Sequence, residues 1–478
     1  MNNPRVWCIA VMTVVTLALS HPLIRNHSLF AQDARLASVN AADFGAKGDG
    51  VTDDSPAIQA AVNAAESRHG GSIFVPAGTY YMDRTILIGD HVELFGAGLS
   101  TIFRRGDNPT AVPEYQDCGS ARPPTSRHRQ LFHNRNYNCE NVGIHLHDFA
   151  IDGSAITSVP NSVMIAFSGI KETVLERIQI RDAPQDAIFL RNGGVGTIVQ
   201  NVTIIGHDRL WGNGSGINVE MHKEGLDQGK PTLIDNTIVT NSPNFCTGNL
   251  AAPCSHASEC GGFQPNTCGL GASTSAAIAL TWVDGPNPAS ALIQGNTILV
   301  ANGHYGILCN GCADAEITGN NIKAAEPAGD SSRVITRTFT GIMTNSPPGR
   351  FARNLEVTKN TVDGSGDPDD GCAILMSGDP GARSQALTIS GNTIQHKNVY
   401  PKHAALEVRG WTGFQINSNV LRNINGVPLI LGTGGWVTRM GGVEQNDFSS
   451  LDLTEGRAIQ VRAATELTIS GNNYRQGK

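Results

Sequence analysis

The sequence predicts an all-β solenoid, a single coil of parallel strands stacked rung on rung and closed at its N-terminal end by a short helix. Three observations carry that expectation. Glycine supplies 54 of 478 residues while charged residues make up only 16%, and Asn-Gly and Asp-Gly steps are frequent, the composition of a turn-dense β protein. A polar residue, an Asn and a β-branched strand recur from Asn201 to Asn472. One Ala-rich amphipathic segment, SPAIQAAVNAAE, precedes that array, and strand-like text follows it to the end.

At the N-terminus, Arg5 precedes the 15-residue apolar run VWCIAVMTVVTLALS, Val6 to Ser20. That is short for a membrane-spanning helix, which needs roughly 20 residues, and it fits a signal-peptide core. Residues 1–32 are therefore expected to be a cleaved leader and 33–478 a secreted, periplasmic or cell-surface β-helix domain with no membrane association afterwards. An uncleaved anchor would export the chain equally. The net charge of −7, with no Lys/Arg cluster, excludes the usual nucleic-acid footprint.

Next comes DFGAKGDGVTDDSPAIQAAVNAA, Asp43 to Ala65. The open end of a parallel coil exposes unpaired backbone groups and apolar side chains, so solenoids need terminal caps. The helix suits that task, with Asp53, Asp54 and Ser55 as N-cap candidates and Pro56 near its first turn.

From about residue 150 the repeat takes over. Its Asn residues are Asn201, Asn236, Asn296, Asn320, Asn360, Asn392, Asn419, Asn446 and Asn472, separated by 35, 60, 24, 40, 32, 27, 27 and 26. A unit in the twenties with loops inserted is a solenoid signature. Each Asn is expected at a bend, hydrogen-bonded to its equivalent one rung away. A companion strand recurs as AIFLR, GINVE, AIALT, GILCN, GIMTN, AILMS and ALEVR. Alternation puts Ile188/Leu190, Ile217/Val219, Ile278/Leu280, Ile307/Cys309, Ile342/Thr344, Ile374/Met376 and Leu406/Val408 inside. Cys309 thus reads as a core thiol. The 60-residue gap holds Cys246, Cys254, Cys260 and Cys268. Their spacing is too wide for paired zinc ligands, so a disulfide-stapled loop insertion over 245–272 is expected. Cys118 and Cys139 are a further candidate pair, and connectivity stays open.

The stretch DFGAKGDGVTDDSPAIQAAVNAA, with GGSIFVPAGTYYM and VELFGAG after it, resembles the N-terminal motif of the pectate lyase superfamily, in its rhamnogalacturonase- and epimerase-like branch. The resemblance covers about residues 41–98; beyond that only the generic rung repeat continues it. It implies a right-handed parallel β-helix, secretion and action on polysaccharide, with Asp43, Asp53 and Asp54 structural. It does not imply one reaction, because lyases, hydrolases, epimerases and binding proteins share the fold.

Outward residues on stacked strands lie about 4.8 Å apart from rung to rung. Arg191, Glu220, Thr281, Asn310, Asn345, Ser377 and Arg409 form such a stripe, with Trp282 and Trp411 beside it and His222 near one end. Polar groups flanked by aromatic rings suit a sugar chain; a solvated face with an incidental Arg191–Glu220 pair is the alternative. Acid/base candidates concentrate in RDAPQDAIFLRN and GHDRLWGNGSGINVEMHK, which together hold Asp182, Asp186, His207, Asp208, Glu220, His222 and Lys223. Hydrolysis of a glycosidic bond needs two carboxyl groups. β-Elimination needs a base for the proton beside a uronate carboxylate and a cation for the enolate-like intermediate. Arg181, Arg191 or Lys223 could supply either role, and a calcium ion, the cofactor candidate, could supply the second. The polygalacturonase pattern fails, since Gly214-Ser215 stands where paired Asp residues belong and no Arg-Ile-Lys occurs; the Asp-Pro-His of alginate epimerases is also absent.

Asp363, Ser365, Asp367 and Asp369 are spaced like part of a calcium loop but without its later Glu, so an acidic turn is the commoner reading. His145 and His147 share a strand face, with no third metal ligand evident in the sequence. The expected function is an exported enzyme cleaving a uronate-containing glycan, lyase before hydrolase or epimerase. A non-catalytic carbohydrate-binding protein is the rival class.

Overall fold

The structure, a computed structural model, describes residues 38–107, 116–117, 130–137, 139–156, 162–208, 214–221, 229–240, 244–246, 249–254, 268–269, 276–283, 288–300, 305–324, 339–347, 349–365, 371–381, 383–396, 404–424, 427–433, 435–449, 451 and 458–474. The expected leader, Cys118, Cys260, His222, Lys223, Asp367 and Asp369 lie outside them.

Alternation and β-branching produce a right-handed parallel β-helix. Among the described residues, a 26-stranded sheet and a 12-stranded sheet hold nearly all strands. One rung shows the plan: Leu292–Gln294, a bend at Asn296, Thr297–Val300, a loop, then Tyr305–Asn310. The rung above repeats it, with Ile293 over Ile317, Ile298 over Ile322 and Ile307 over Ile342. Like side chains therefore stack into columns. Ile188, Ile217, Ile278, Ile307, Ile342, Ile374, Leu406 and Leu429 form one, all fully buried. Each such side chain stabilises the fold by about 1.5–3 kcal/mol.

The Asn ladder runs from Asn236 to Asn472. Asn236 Nδ2 donates to Asn296 Oδ1 (2.9 Å), and the same bond repeats rung by rung to Asn446 and Asn472 (3.0 Å). Each buried amide thereby meets partners inside the coil, where an unsatisfied one would cost about 1–3 kcal/mol. Asn201 is not a member. The register sets Thr203 against Thr237, so Val202 holds the ladder position and its N–H donates to Asn236 Oδ1 (3.0 Å). Asn201 instead takes the left-handed turn position that Asp235 takes one rung on. Because QNVTI looks like the other repeats, only the register separates them.

Helix α1, Ser55–Glu66, buries Ile58, Ala61, Val62 and Ala65 over the end of the core. It also covers an edge. Ile86–Ile88 is the terminal strand of the 12-stranded sheet. Gln59 bonds both backbone groups of Leu87, accepting from its N–H (2.8 Å) and donating to its carbonyl (3.0 Å), while Glu66 accepts from Gly89 N–H (2.7 Å). Capping falls to Asp53, whose Oδ1 accepts from Ser55 N–H (3.1 Å) and Oγ–H (2.6 Å). Asp54 holds the N-cap position without capping; its carboxylate takes the N–H groups of Lys47 (2.7 Å) and Gly48 (3.1 Å), tying the Gly-rich turn to the helix.

The cysteines depart from expectation at Cys309. It is no free thiol but is joined to Cys312, with Cα atoms 5.4 Å apart. Cys139 is also disulfide-bonded, and Cys372 is free and buried. Asn244–Cys246, Asn249–Cys254 and Cys268–Gly269 make a small antiparallel sheet in the insertion. Among the described residues no helix is long and apolar enough to cross a membrane.

Candidate functional site

The outward face of the 12-stranded sheet gathers most of the expected binding residues. Register aligns Ser168, Arg191, Glu220, Thr281, Asn310 and Asn345 in one column, and Ser377 with Arg409 further on. Roughly 29 Å separates Arg191 from Arg409, about six rung steps of about 4.8 Å each. A second outward column, two residues earlier, includes His133, Phe189, Asn218, Leu308, Met343 and Glu407. Alternation along each strand turns this column outward as well.

Each end of the stripe carries an Arg–Glu pair. At one, Arg191 Nη2 donates to Glu220 Oε2 (3.1 Å), its guanidinium lying 5.2 Å from the Phe189 ring centroid. At the other, Arg409 donates to Ser377 Oγ (3.1 Å) and Glu407 Oε1 (3.3 Å) and lies 5.3 Å from the Trp436 ring centroid. Between them, Asn345 Nδ2 donates to Asn310 Oδ1 (3.4 Å). The two Trp residues expected to flank the stripe do not do so, and Phe189 and Trp436 are the rings beside it. Trp411 is wholly buried in the core, and Trp282 is only 8% exposed. Both occupy inward positions of their strands.

Asp186 precedes Ile188–Arg191 and is 3% exposed. Its Oδ1 accepts from Ser215 N–H (2.6 Å), and its side chain also bonds Asn218 on the outward face. Burial pushes its pKa well up, and the charges of Glu220 and Asp208 add to the rise. His207 and Asp208 are wholly buried, so neither fronts the stripe. Burial lowers the His207 pKa to about 4, against the opposing hydrogen bond with the Gly214 backbone. Asp208 and Asp182 occupy left-handed turn positions, the role Asp and Asn play most readily.

A separate cluster sits outward on the larger sheet. His145 and His147, on His145–Asp152, meet Glu93 from Val92–Gly96 and Glu176 from Val174–Arg181. Glu93 is the third ligand type that sequence spacing alone could not supply, because it arrives from 52 residues earlier through the register. Hydrogen bonding with His145 leads the lowering of the Glu176 pKa to about 2, and hydrogen bonding with Arg177 leads that of Asp148 to about 2. Burial opposes a charge on His147, but Glu93 and Asp148 outweigh it and its pKa rises. At the acidic turn, Asp363 Oδ1 accepts from Ser365 N–H (2.9 Å), an Asx turn.

Residues 38–251 match the family described as "Rhamnogalacturonase A/epimerase, pectate lyase-like". Over 67 residues the chain is 48% identical to mannuronan C5-epimerase AlgE3 of Azotobacter vinelandii, covering 13% of this chain and 4% of that protein. Alginate lyase 7 of the same organism is 45% identical over 67 residues, 13% and 8% of the two chains. The preneck appendage protein of Bacillus phage PZA is 32% identical over 116 residues, 24% and 11%. The matched part is thus a small fraction of each relative's length. Among solved structures, a tailspike protein mutant of E. coli bacteriophage HK620 aligns with TM-score 0.55 at 12% identity, over 92% of this chain and 78% of that one. PfbA, a surface adhesin of Streptococcus pneumoniae, gives 0.52 at 15% identity, over 92% and 91%. These two likenesses are of fold alone. By its motif and its match over residues 38–251, a little less than half of the chain, the N-terminal part is similar to the rhamnogalacturonase A/epimerase, pectate lyase-like family, and the stacked rungs carry the same parallel β-helix onward.

Proposed function

We propose that the protein is an exported polysaccharide-active enzyme that holds a uronate-containing glycan along the outward face of the 12-stranded sheet and cleaves it by β-elimination. The observation that carries this reading is the Arg191–Glu220 pair in one outward column, with the buried carboxyl of Asp186 joined to that face through Asn218. Arg191 would take the substrate carboxylate and stabilise the charge that develops there. Glu220, released from Arg191, would remove the proton on the carbon beside that carboxylate. The electron pair then forms the carbon–carbon double bond and expels the glycosidic oxygen, which takes a proton from solvent. Similarity to proteins named mannuronan C5-epimerase and alginate lyase supports a polymer of that kind. Hydrolysis is the second reading, favoured because burial raises the Asp186 pKa while Glu220 stands nearby as a second carboxyl, the divided pair that reaction uses.

Incubation with alginates, pectins and rhamnogalacturonans tests both. Absorbance rising near ~235 nm, from the double bond that proton removal creates, is the expected result, with a loss of at least about 100-fold in Arg191→Ala, the scale for one lost charge-stabilising donor. New reducing ends without absorbance would replace elimination by hydrolysis. Binding without cleavage would refute catalysis.

A further inference from the structure

We propose that Glu93, His145 and His147 form a binding site for a divalent transition-metal ion of the zinc class. The backbone makes the site. Residues two apart on a strand share a face, and the neighbouring strand sets Glu93 beside His145 in register. Glu93 Oε1 lies 3.6 Å from His145 Nδ1 and 3.0 Å from His147 Nε2, and one donor atom from each residue falls within 4.8 Å of the other two. Ligands at about 2.0–2.2 Å around a tetrahedral ion stand roughly 3.3–3.6 Å apart, so small side-chain shifts would admit the ion.

The partners of these ligands carry the inference further. Metal-binding imidazoles characteristically give their second nitrogen to a carboxylate. Here His147 Nδ1 faces Asp148 Oδ2 at 2.7 Å, and His145 Nε2 faces Glu176 Oε1 at 3.2 Å. The far oxygen of Glu93 accepts from the Ser72 hydroxyl. Those carboxylates are themselves held. Arg177 Nε and Nη2 donate to Asp148 at 2.8 Å each, Nη2 also lying 3.3 Å from His147 Nδ1, and its Nη1 lies 2.7 Å from Glu176. Gln200 donates to the other Glu176 oxygen at 2.6 Å. Phe95 stacks on His147 at 5.2 Å and fixes its plane. Three carboxylates against one guanidinium leave the pocket negative when both imidazoles are neutral. Two imidazoles and one carboxylate select zinc or its neighbours over calcium or magnesium, which prefer oxygen alone. Partial exposure leaves a fourth position for water. The site is on a different sheet from the Arg191 stripe and does not depend on the glycan reading.

Full-length protein, freed of metal with a chelator, would be titrated with zinc chloride by calorimetry and with cobalt(II) by visible absorption. The expected result is one equivalent bound and cobalt bands of a four-coordinate nitrogen–oxygen site. The His145→Ala/His147→Ala pair should abolish both, and Asp148→Asn should weaken zinc by about 10–100-fold. If the double variant does not fold, Glu93→Gln serves, with an expected loss of at least about tenfold on the same scale. No zinc uptake by the unaltered protein, or uptake unchanged in the variant that folds, would overturn the site.

Discussion

His207 and His396 are buried imidazoles whose neutrality sets how the protein responds to acid. Burial lowers each pKa from the ordinary 6.5 to about 4; nearby Asp363 opposes the shift at His396 without cancelling it. In the unfolded chain both would take a proton near pH 6.5, while in the fold neither does so until about pH 4. Their stabilisation is therefore complete above the unfolded value and is lost as pH falls through that window. A tenfold difference in proton affinity between the folded and unfolded chain is worth about 1.4 kcal/mol, so each His contributes up to about 3 kcal/mol. Urea unfolding at about pH 7 and about pH 4.5 should show a clear loss of stability at the lower value, with a smaller loss in His396→Leu. An equal pH dependence in that variant would refute the assignment. Strand alternation already points His396 inward, two residues after Ile394 and in the row of Val300, Ala324 and Gly364, whereas His207 lies past the end of Thr203–Ile205, where alternation gives no guide.

At the scale of elements, the cap and the ladder show what a sequence discloses. Helix α1, the parallel rungs and the inward columns were all legible, since a strand period of two and a rung period of roughly 25 residues survive any loop length. The assignments that failed depended on register or on side-chain direction. Asn201 stands one residue from the ladder, and Trp282 and Trp411 follow polar stripe residues but point inward. Glu93 joins His145 only across a strand pair. Gln59 is a sharper case, an ordinary surface residue in the sequence that satisfies two edge groups of Leu87 in the fold. Gln59→Ala should cost about 1–2 kcal/mol in denaturant unfolding. It should also promote edge-to-edge association, visible as increased light scattering. Unchanged stability and scattering would mean that burial by the helix alone protects the edge.

The whole molecule is a stack in which each rung touches chiefly its neighbours, so stability is passed along a line. Its two ends differ. One lies under α1, whereas the last described strands, Ala464–Ser470 and Asn473–Tyr474, leave Ile469 and Tyr474 each 44% exposed. Hydrogen exchange should therefore be fastest in Ala464–Ser470 and slowest in middle rungs such as Tyr305–Asn310, the pattern of local opening. Uniform exchange would imply that the coil opens all at once.

That inequality gives the molecule a direction. Pulled along its axis, the described coil should unpeel like tape from the Ala464–Ser470 side, each turn releasing in sequence, while the helix-covered side resists until the remainder has come away.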